Sequence, residues 1–218
     1  MAGEIGLFEA INNMRAMRRL KPDPVPDELI RKIIDAGLRA PTGGDVQNWR
    51  FIVVKDPEIK KKIQVVYKRA FDNVIAPHYR SSPPPPGKTE AQKQRMFKAV
   101  EYLTDHFHEA PVMIVCCLMN DNARATGLAK MSGASIYPSA QNMLLAARAL
   151  GLGATLTTLY LNFEKEVETA LGLPPDVHSY ALLPIGYPMG RFGPVRRVPI
   201  ADVVYEDQWG QPYRDQPI

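Results

Sequence analysis

A helix, a polar loop and an apolar strand follow one another in the first quarter of this 218-residue chain. The sequence from Asp27 to Arg39 favours a helix, which the loop beginning at Pro41 must end. The loop leads into a tryptophan followed by aromatic and β-branched residues, which favour a strand over 49–55. Loops held between rigid elements often carry binding groups, although Thr42 and Asp45 are also ordinary turn residues. This unit predicts a mixed helix and strand fold with a loop suited to a binding site.

The rest of the chain continues this mixture of helix and strand patterns. The predicted helices cover residues 4–19, 27–39, 57–70, 90–108, 133–150 and 163–171, and the predicted strands cover 49–55, 111–118, 153–158 and 180–186. A long apolar helix among short strands indicates an α+β sandwich. The run from Ser81 to Gly87 contains consecutive prolines, which fit neither a helix nor a central strand. We expect it to form a semi-rigid arch at the surface.

The composition favours a compact chain without a membrane or nucleic-acid surface. A hydrophobic content of 45% over 218 residues is enough for one substantial core. The net charge is +4, but the basic residues are spread along the chain among acidic ones, which argues against nucleic-acid binding. The sequence has neither an apolar run of about twenty residues nor an amino-terminal secretion pattern. We therefore expect no membrane span and a cytoplasmic location.

The cysteine and histidine patterns do not predict a metal site. Cys116 and Cys117 are adjacent in an apolar run, so we interpret them as buried strand residues rather than disulfide or zinc ligands. His106 and His108 are two positions apart and cannot share a helix face. The other two histidines have no partners at metal-ligand spacing, so we predict that no metal is bound.

Three arginines lie close together before a proline-rich turn. They are Arg15, Arg18 and Arg19, and a helix would place Arg15 and Arg18, three positions apart, on one face. A guanidinium group binds phosphate oxygens in a bidentate manner and keeps its charge. The cluster therefore suits an anion site, although a solvated basic surface has the same pattern.

Taken together, these stretches resemble the nitroreductase family of FMN-dependent oxidoreductases. That family has an Arg-Arg-Ser-x-Arg-x-Phe-like element, a Pro-Val-Pro turn, a helix, an Ala-Pro-Ser-x-x-Asn-x-Gln-Pro-Trp loop and an apolar strand. This chain keeps the order and spacing but departs from the pattern at Met14, Ala16, Leu20, Thr42, Asp45 and Asn48. The resemblance continues in the helix beginning near Tyr137, in residues 183–188, and in the basic segment from Arg196 to Pro199.

The resemblance implies a three-layer sandwich in which helices flank a central, mostly antiparallel sheet. It implies one FMN-binding domain over residues 1–218 and a homodimer with FMN at the subunit interface. Residues 67–98 would form a variable lid over the flavin, and residues 189–218 would form an arm that wraps the partner subunit. The aromatic residues of the last segment agree with a wrapping arm rather than a disordered tail.

The resemblance also implies roles for individual residues. Arg15 and Arg197 match phosphate-binding positions, and Arg18 matches the basic residue at the N1 and O2 edge of the flavin, where it would stabilise the reduced ring. Thr157 and Thr158 match the point where a hydrogen-bond donor meets N5, so Arg18, Thr157 and Thr158 are the predicted catalytic residues. The full predicted cofactor set is Arg15, Ala16, Met17, Arg18, Pro41, Thr42, Asp45, Gln47, Pro138, Ser139, Thr157, Thr158, Leu159, Arg196 and Arg197.

Asp45 places a carboxylate where the family has an amide. A negative charge beside an electron-accepting ring opposes its reduction unless the carboxylate is paired with a cation or turned away from the ring. We therefore expect Arg50 or Arg18 to pair with Asp45.

The implied activity is hydride transfer from NAD(P)H through FMN to a nitroaromatic, a quinone or a similar electron-poor aromatic, by ping-pong kinetics. The candidate residues for substrate selection in the lid are Tyr67, Arg69, Phe71, His78 and Tyr79. No glycine-rich dinucleotide fingerprint follows a strand, so we expect no Rossmann site. The resemblance implies that NAD(P)H binds only transiently, at the flavin face. Two alternatives remain: reductive dehalogenation or other specialised flavin chemistry on an aromatic compound, and a non-catalytic protein that stores FMN.

Overall fold

A four-stranded antiparallel sheet forms the centre of the computed structural model, which describes residues 5–121, 131 and 133–213. The strands are β1 (Trp49–Val54), β2 (Val112–Met119), β3 (Gly153–Ala154) and β4 (Val177–Gly186). Their order across the sheet is β1-β2-β4-β3, and each neighbouring pair is antiparallel. This arrangement confirms the α+β class and the antiparallel sheet that the sequence predicted.

Seven helices surround the sheet in the described residues. They are α1 (Leu7–Asn13), α2 (Asp27–Leu38), α3 (Pro57–Ala70), α4 (Ala76–Ser81), α5 (Glu90–Asp105), α6 (Tyr137–Ala149) and α7 (Glu164–Ala170). None of these helices combines the length and apolarity needed to cross a bilayer. Between α3 and α4 the chain makes one turn of π-helix, Phe71–Ile75. The stretch after residue 70, where the sequence predicted no helix, is therefore helical as far as Ser81.

Both faces of β2 are buried, which explains its continuous apolar sequence. Alternate residues point to opposite faces, so Ile114 and Cys116 pack with α2 and α6, whereas Met113 and Val115 pack with α3 and α5. The predicted burial of Cys116 and Cys117 is confirmed.

The predicted helix over 4–19 is wrong in its second half. Helix α1 ends at Asn13, and the following residues are extended. The Met17 N–H donates to the carbonyl of Ala154 at 2.9 Å, and Leu20 forms a bridge with Pro188. This pairing beside β3 outweighs local helix propensity. Arg15 and Arg18 therefore do not share a helix face.

The other predicted boundaries differ by smaller amounts. The strand predicted over 153–158 is reduced to Gly153–Ala154, and Thr157 rejoins the sheet only as a single bridge to Leu182. Helix α6 begins four residues later than predicted, and α5 ends at Asp105, before a 3-10 turn. Residues 83–85 have no regular secondary structure, as predicted for the proline run.

The pairing of β2 with β4 contains a β-bulge, and a side chain from α7 forms hydrogen bonds beside it. Cys116 pairs with Ala181 and Cys117 pairs with Ser179, so Tyr180 is left between them. The Glu168 carboxylate on α7 accepts hydrogen bonds from the Ser179 backbone N–H at 2.8 Å and from the Ser179 hydroxyl at 3.2 Å. Glu168 thereby supplies a hydrogen-bond acceptor to the backbone beside the bulge.

We expect Glu168→Ala to destabilise the fold, because it leaves the backbone N–H of Ser179 without this acceptor. The loss of a buried hydrogen-bond partner costs about 1–3 kcal/mol. Urea unfolding of this variant should show a lower midpoint, whereas Lys165→Ala, an exposed change on the same helix, should leave it nearly unchanged. Equal midpoints for the two variants would show that Glu168 does not stabilise the bulge.

Candidate functional site

A cavity of about 230 Å³ brings together six of the residues that the sequence predicted for the site. They are Arg18, Tyr67, Tyr79, Thr157, Thr158 and Leu159. The remaining wall is formed by Ile75, Val100, Leu103, Thr155 and Leu156. The described lining is therefore mixed: aliphatic side chains stand beside one cation and several hydroxyl groups, and no carboxylate is among these residues.

Arg18 supplies the positive charge of the cavity. The extended segment that carries it is held in place by the backbone bonds of Met17 and Leu20 described above. The side chain is half-buried, and burial lowers the pKa of its guanidinium group, an effect that nearby Tyr67 and Tyr79 oppose. No carboxylate in the described part of the chain pairs with it. A half-buried cation in this position favours a ligand with an anionic or electron-rich edge.

Thr157 is fixed at the same wall by its backbone. Its N–H donates to the Leu182 carbonyl at 2.9 Å, and its carbonyl accepts from the Leu182 N–H at 3.0 Å. The Thr157 hydroxyl lies 2.8 Å from the Tyr67 hydroxyl. The next residue, Thr158, is exposed and also lines the cavity. Two adjacent threonines thus face the cavity from one rigid point.

Tyr67 forms part of the buried wall rather than a surface lid. Its ring stacks on Phe107 with a centroid distance of 4.2 Å, and the side chain has no solvent exposure. Burial, the largest effect, raises the pKa of Tyr67 to about 12. The phenol is therefore protonated and neutral at ordinary pH.

The other lid candidates lie in different surroundings. Tyr79 lines the cavity, whereas Arg69 forms an ion pair with Glu166. Phe71 is buried in a small apolar cluster near α5, and His78 is exposed beside the proline run. Of the five candidates, Tyr67 and Tyr79 line this cavity, and the other three do not.

The loop before β1 has an unusual backbone. Asp45 and Gln47 adopt left-handed φ angles of 53° and 52°, a conformation that non-glycine residues seldom adopt. The Gln47 N–H donates to the Thr42 hydroxyl at 3.1 Å, and the Gln47 side-chain amide donates to the Asp45 carboxylate at 2.8 Å. The expected pairing of Asp45 with an arginine is therefore wrong in the described residues, since Arg50 donates to the carbonyl of Trp49 instead. Strained loops of this kind are frequent at functional sites.

Several predicted cofactor residues lie outside the cavity of the single chain. Pro41, Thr42, Asp45 and Gln47 belong to the loop before β1, and Pro138 and Ser139 belong to the first turn of α6. Pro138 is exposed, whereas Ser139 is buried with its hydroxyl 3.0 Å from where a Cβ on Gly37 would lie. The Ser139 side chain therefore contacts α2 rather than the cavity.

Basic residues from both ends of the chain lie near one another. Arg15 donates to the carbonyl of Arg191, and the Val195 N–H donates to the carbonyl of Asn12 at 2.9 Å. The segment that ends in Arg196 and Arg197 thus runs beside the segment before Arg15. Both of these arginines are exposed, and Arg197 donates to the carbonyl of Arg196 at 3.0 Å. Ala16, next to Arg15, is exposed, whereas Met17 is buried.

Comparison with known proteins decides the family. The model described as "Nitroreductase family" matches residues 11–187, which is most of the chain. The chain belongs to the nitroreductase family. The resemblance inferred from the sequence is confirmed.

Two relatives show how broad this family is. NADH dehydrogenase of Thermus thermophilus is 32% identical over 213 residues, which cover 87% of this chain and 90% of that protein. Iodotyrosine deiodinase 1 of Mus musculus is 29% identical over 184 residues, which cover 83% of this chain. The match spans only 61% of the mouse protein.

Solved structures of nitroreductase-type proteins share the fold. One is oxidised iodotyrosine deiodinase bound to FMN and 3-iodo-L-tyrosine, with a TM-score of 0.70 at 22% identity. The match covers 93% of this chain and 99% of the solved chain. A BluB-like flavoprotein from Clostridium difficile has a TM-score of 0.70 at 23% identity and covers 94% of this chain and 100% of that chain. At these identities the comparison establishes the architecture.

A cluster of possible metal ligands lies apart from the residues that line the cavity. Glu164, Glu168 and His178 each place one ligand atom within 4.8 Å of the others. The sequence did not predict this, because His178 and the two glutamates come together only through packing of α7 on β4. Glu168 already accepts two hydrogen bonds from Ser179. We therefore assign the cluster a structural role.

The sequence also missed most of the apolar cavity wall and the contact between Tyr67 and Thr157. These two residues are ninety positions apart. No local pattern distinguishes a buried tyrosine in an amphipathic helix from an ordinary core residue, so the sequence carried no signal for this pair.

Deprotonation of Tyr67 should lower the stability of the folded protein at alkaline pH. Because its folded pKa of about 12 lies above the ordinary value of 10.0, the neutral form favours the folded state. This contribution is complete below about pH 10 and is lost as the pH rises toward 12, at up to about 1.4 kcal/mol per pH unit. Unfolding measured from pH 9 to 12 should therefore show a shallower decline in stability for Tyr67→Phe. An unchanged decline would contradict the assignment.

Proposed function

We propose that this protein uses FMN to transfer hydride from NAD(P)H to a nitroaromatic, a quinone or a similar electron-poor aromatic. The observation that carries the proposal is the cavity in which the half-buried Arg18 guanidinium and the fixed Thr157 hydroxyl face the same space. The cofactor is FMN, as in the nitroreductase family to which the chain belongs. When bound, FMN supplies a ring that accepts and releases hydride.

The residues present fit the charges of FMN. The reduced ring carries negative charge at one edge, and Arg18 offers a cation without a carboxylate partner among the described residues. Thr157 and Thr158 would hold the N5 side of the ring by hydrogen bonds. Arg15 and Arg197 would bind the phosphate, an assignment supported by the proximity of their two chain segments.

Exclusion of water is the second contribution of the chain. Leucine, isoleucine and valine side chains form much of the wall, and the Tyr67 ring closes one side. Where a bound flavin displaces water from the cavity, the attraction between Arg18 and a developing negative charge would be stronger than in water. Reductant and oxidant would reach the same ring face in turn, which gives ping-pong kinetics.

A homodimer would complete the site, since the loop before β1 and the start of α6 do not reach the cavity within one chain. Helix α1 exposes Leu7, Phe8 and Ile11, with Phe8 exposed by 78%. A groove of about 350 Å³ lies beside this helix, between α2 and α6. Exposed apolar surface of this kind is typical of protein interfaces. We propose that a second copy of the chain covers it.

The carboxy-terminal segment and the proposed lid, residues 67–98, have roles in this dimer. The segment 189–213 is mostly exposed, and Trp209 is exposed by 87%, which supports an arm that wraps the partner. Residues 67–98 would form the lid, with Tyr79 facing the substrate. Residues 1–218 would then act as a single FMN-binding domain.

Reductive dehalogenation is the second candidate because relatives of the chain include iodotyrosine deiodinase. A zwitterionic amino acid needs an anionic group for its ammonium as well as a cation for its carboxylate. Among the described residues, the cavity wall offers Arg18 but no Asp or Glu. This charge pattern favours a halogenated phenol or a nitroaromatic over an amino-acid substrate. Storage of FMN without turnover is the remaining alternative.

The first test is anaerobic reduction of the FMN-loaded protein by NADH and by NADPH. Loss of the flavin absorption band near about 450 nm is expected, followed by its return when a nitroaromatic or a quinone is added. If the absorption band returns only after addition of a halogenated phenol or 3-iodotyrosine, the result would support dehalogenation. A band that persists with both donors would favour storage.

We expect Arg18→Ala to lower the reduction potential of bound FMN, because it removes the cation that stabilises the reduced ring. The free energy of FMN reduction should become less favourable by about 1.5–3 kcal/mol, the range for loss of a charge-assisted hydrogen bond. Arg31→Ala, an exposed change on α2, is the matched control and should leave the potential unchanged. Potentials are measured by equilibration with reference dyes. Equal potentials in both variants would exclude a role for Arg18 at the ring.

We expect Phe8→Asp to dissociate the dimer, because it places a charge in the apolar interface proposed above. Sedimentation should give a dimer for the unchanged protein and a monomer for the variant, and FMN retention should fall with it. The control Val65→Asp alters an exposed apolar residue on α3, away from this groove, and should remain dimeric. A monomeric unchanged protein that still binds FMN would refute the shared site.

A further inference from the structure

Two buried hydroxyl groups form a pair in the wall of the cavity. The Tyr67 hydroxyl and the Thr157 Oγ1 are 2.8 Å apart, with side chains that are 0% and 6% exposed. Tyr67 belongs to the last turns of α3, just before the π-helical turn, and such turns are frequent near functional sites. The pair links the helical layer to the bridge that Thr157 forms with β4.

The direction of this hydrogen bond follows from counting protons. Each hydroxyl has one proton to donate. The Tyr67 side chain is completely buried, and no other hydrogen-bond partner for its hydroxyl exists in the described residues. If Thr157 donated to Tyr67, the phenol proton would have no acceptor among the described residues, which is costly in a buried position. Tyr67 therefore donates, and Thr157 accepts.

The proton of Thr157 is then available to another group. The backbone N–H and carbonyl of Thr157 are already bonded to Leu182, which fixes the backbone of this residue at the cavity wall. Its hydroxyl uses one lone pair for Tyr67 and keeps its proton for the cavity side. The stacking of Tyr67 on Phe107 holds the donor ring in place.

We propose that Tyr67 is a positioning residue that presents the Thr157 hydroxyl as a hydrogen-bond donor to an acceptor atom of the ligand in the cavity. On the proposed function, on which this inference rests, that acceptor is N5 of oxidised FMN. The phenol remains neutral throughout the working pH range, so the orientation of the pair does not depend on pH. Tyr67 itself does not contact the reacting atoms.

The test compares FMN with 5-deaza-FMN, in which a C–H group replaces N5 and cannot accept a hydrogen bond. Apo-protein is titrated with each compound, and Kd is measured for the unchanged protein and for Tyr67→Phe. We expect Kd for FMN to rise about two- to tenfold, as loss of one hydrogen bond implies, and Kd for 5-deaza-FMN to stay constant. Tyr102→Phe, which removes a hydroxyl that contacts only the Met189 sulfur at 3.6 Å, should change neither value.

A second pair of variants separates positioning from stability. Thr157→Ser keeps the hydroxyl and should retain the preference for FMN, whereas Thr157→Val should lose it. Adding Tyr67→Phe to Thr157→Val should then cause no further loss of FMN affinity. Thermal unfolding of each apo-protein confirms that the variants are folded.

Several results would overturn the inference. Equal weakening of FMN and 5-deaza-FMN by Tyr67→Phe would show a purely structural role, and no change for FMN would show that the orientation of Thr157 is irrelevant. Failure of the unchanged protein to bind FMN would remove both this inference and the proposed function. Tight binding of FMN without reduction by NAD(P)H would refute the proposed activity alone, while the comparison of Kd values still decides the role of Tyr67.

Discussion

The pairing of β4 with its neighbours is the constraint on which the site depends. β4 bonds to β2 along its length, and beyond that contact it and the residues just after it hold the two segments that contain Arg18 and Thr157. Leu182 within β4 bonds to Thr157 in both directions, and residues 187–189, immediately after β4, bond to residues 19–21. Arg18 and Thr157 therefore take their positions from the same rigid strand.

This arrangement explains why irregular segments can form an ordered cavity wall. Residues 14–20 and 155–158 have almost no regular secondary structure, yet their backbone groups are bonded to β3, to β4 or to the residues just after it. Close approach is possible because Gly153 has no side chain, and a Cβ there would lie 2.9 Å from the Cβ of Met17. A precise binding site requires its residues to be held in place by rigid elements of the fold.

The loop before β1 shows a different kind of support. Asp45 and Gln47 hold left-handed backbone conformations that cost energy, and the bonds from Gln47 to Thr42 and Asp45 offset part of that cost. The Asp45 carboxylate is bonded to an amide rather than to a cation. In the proposed dimer this loop would approach the cofactor of the other subunit with its charge partly masked by Gln47.

The sequence by itself determined the family, the α+β class and the buried strand over 111–118, and it predicted Arg18 and the two threonines as site residues. These conclusions rest on local periodicity and on residue order, which do not depend on distant contacts. Only the tertiary structure decided that residues 14–20 are extended, that Gln47 bonds to Asp45, and that Tyr67 is a buried partner of Thr157. Each of these outcomes depends on hydrogen bonds or packing that exist only in the folded chain. Such contacts override local secondary-structure propensity. The contact between the Tyr67 and Thr157 hydroxyl groups arises from the packing of a buried side chain, which the sequence of an amphipathic helix does not reveal.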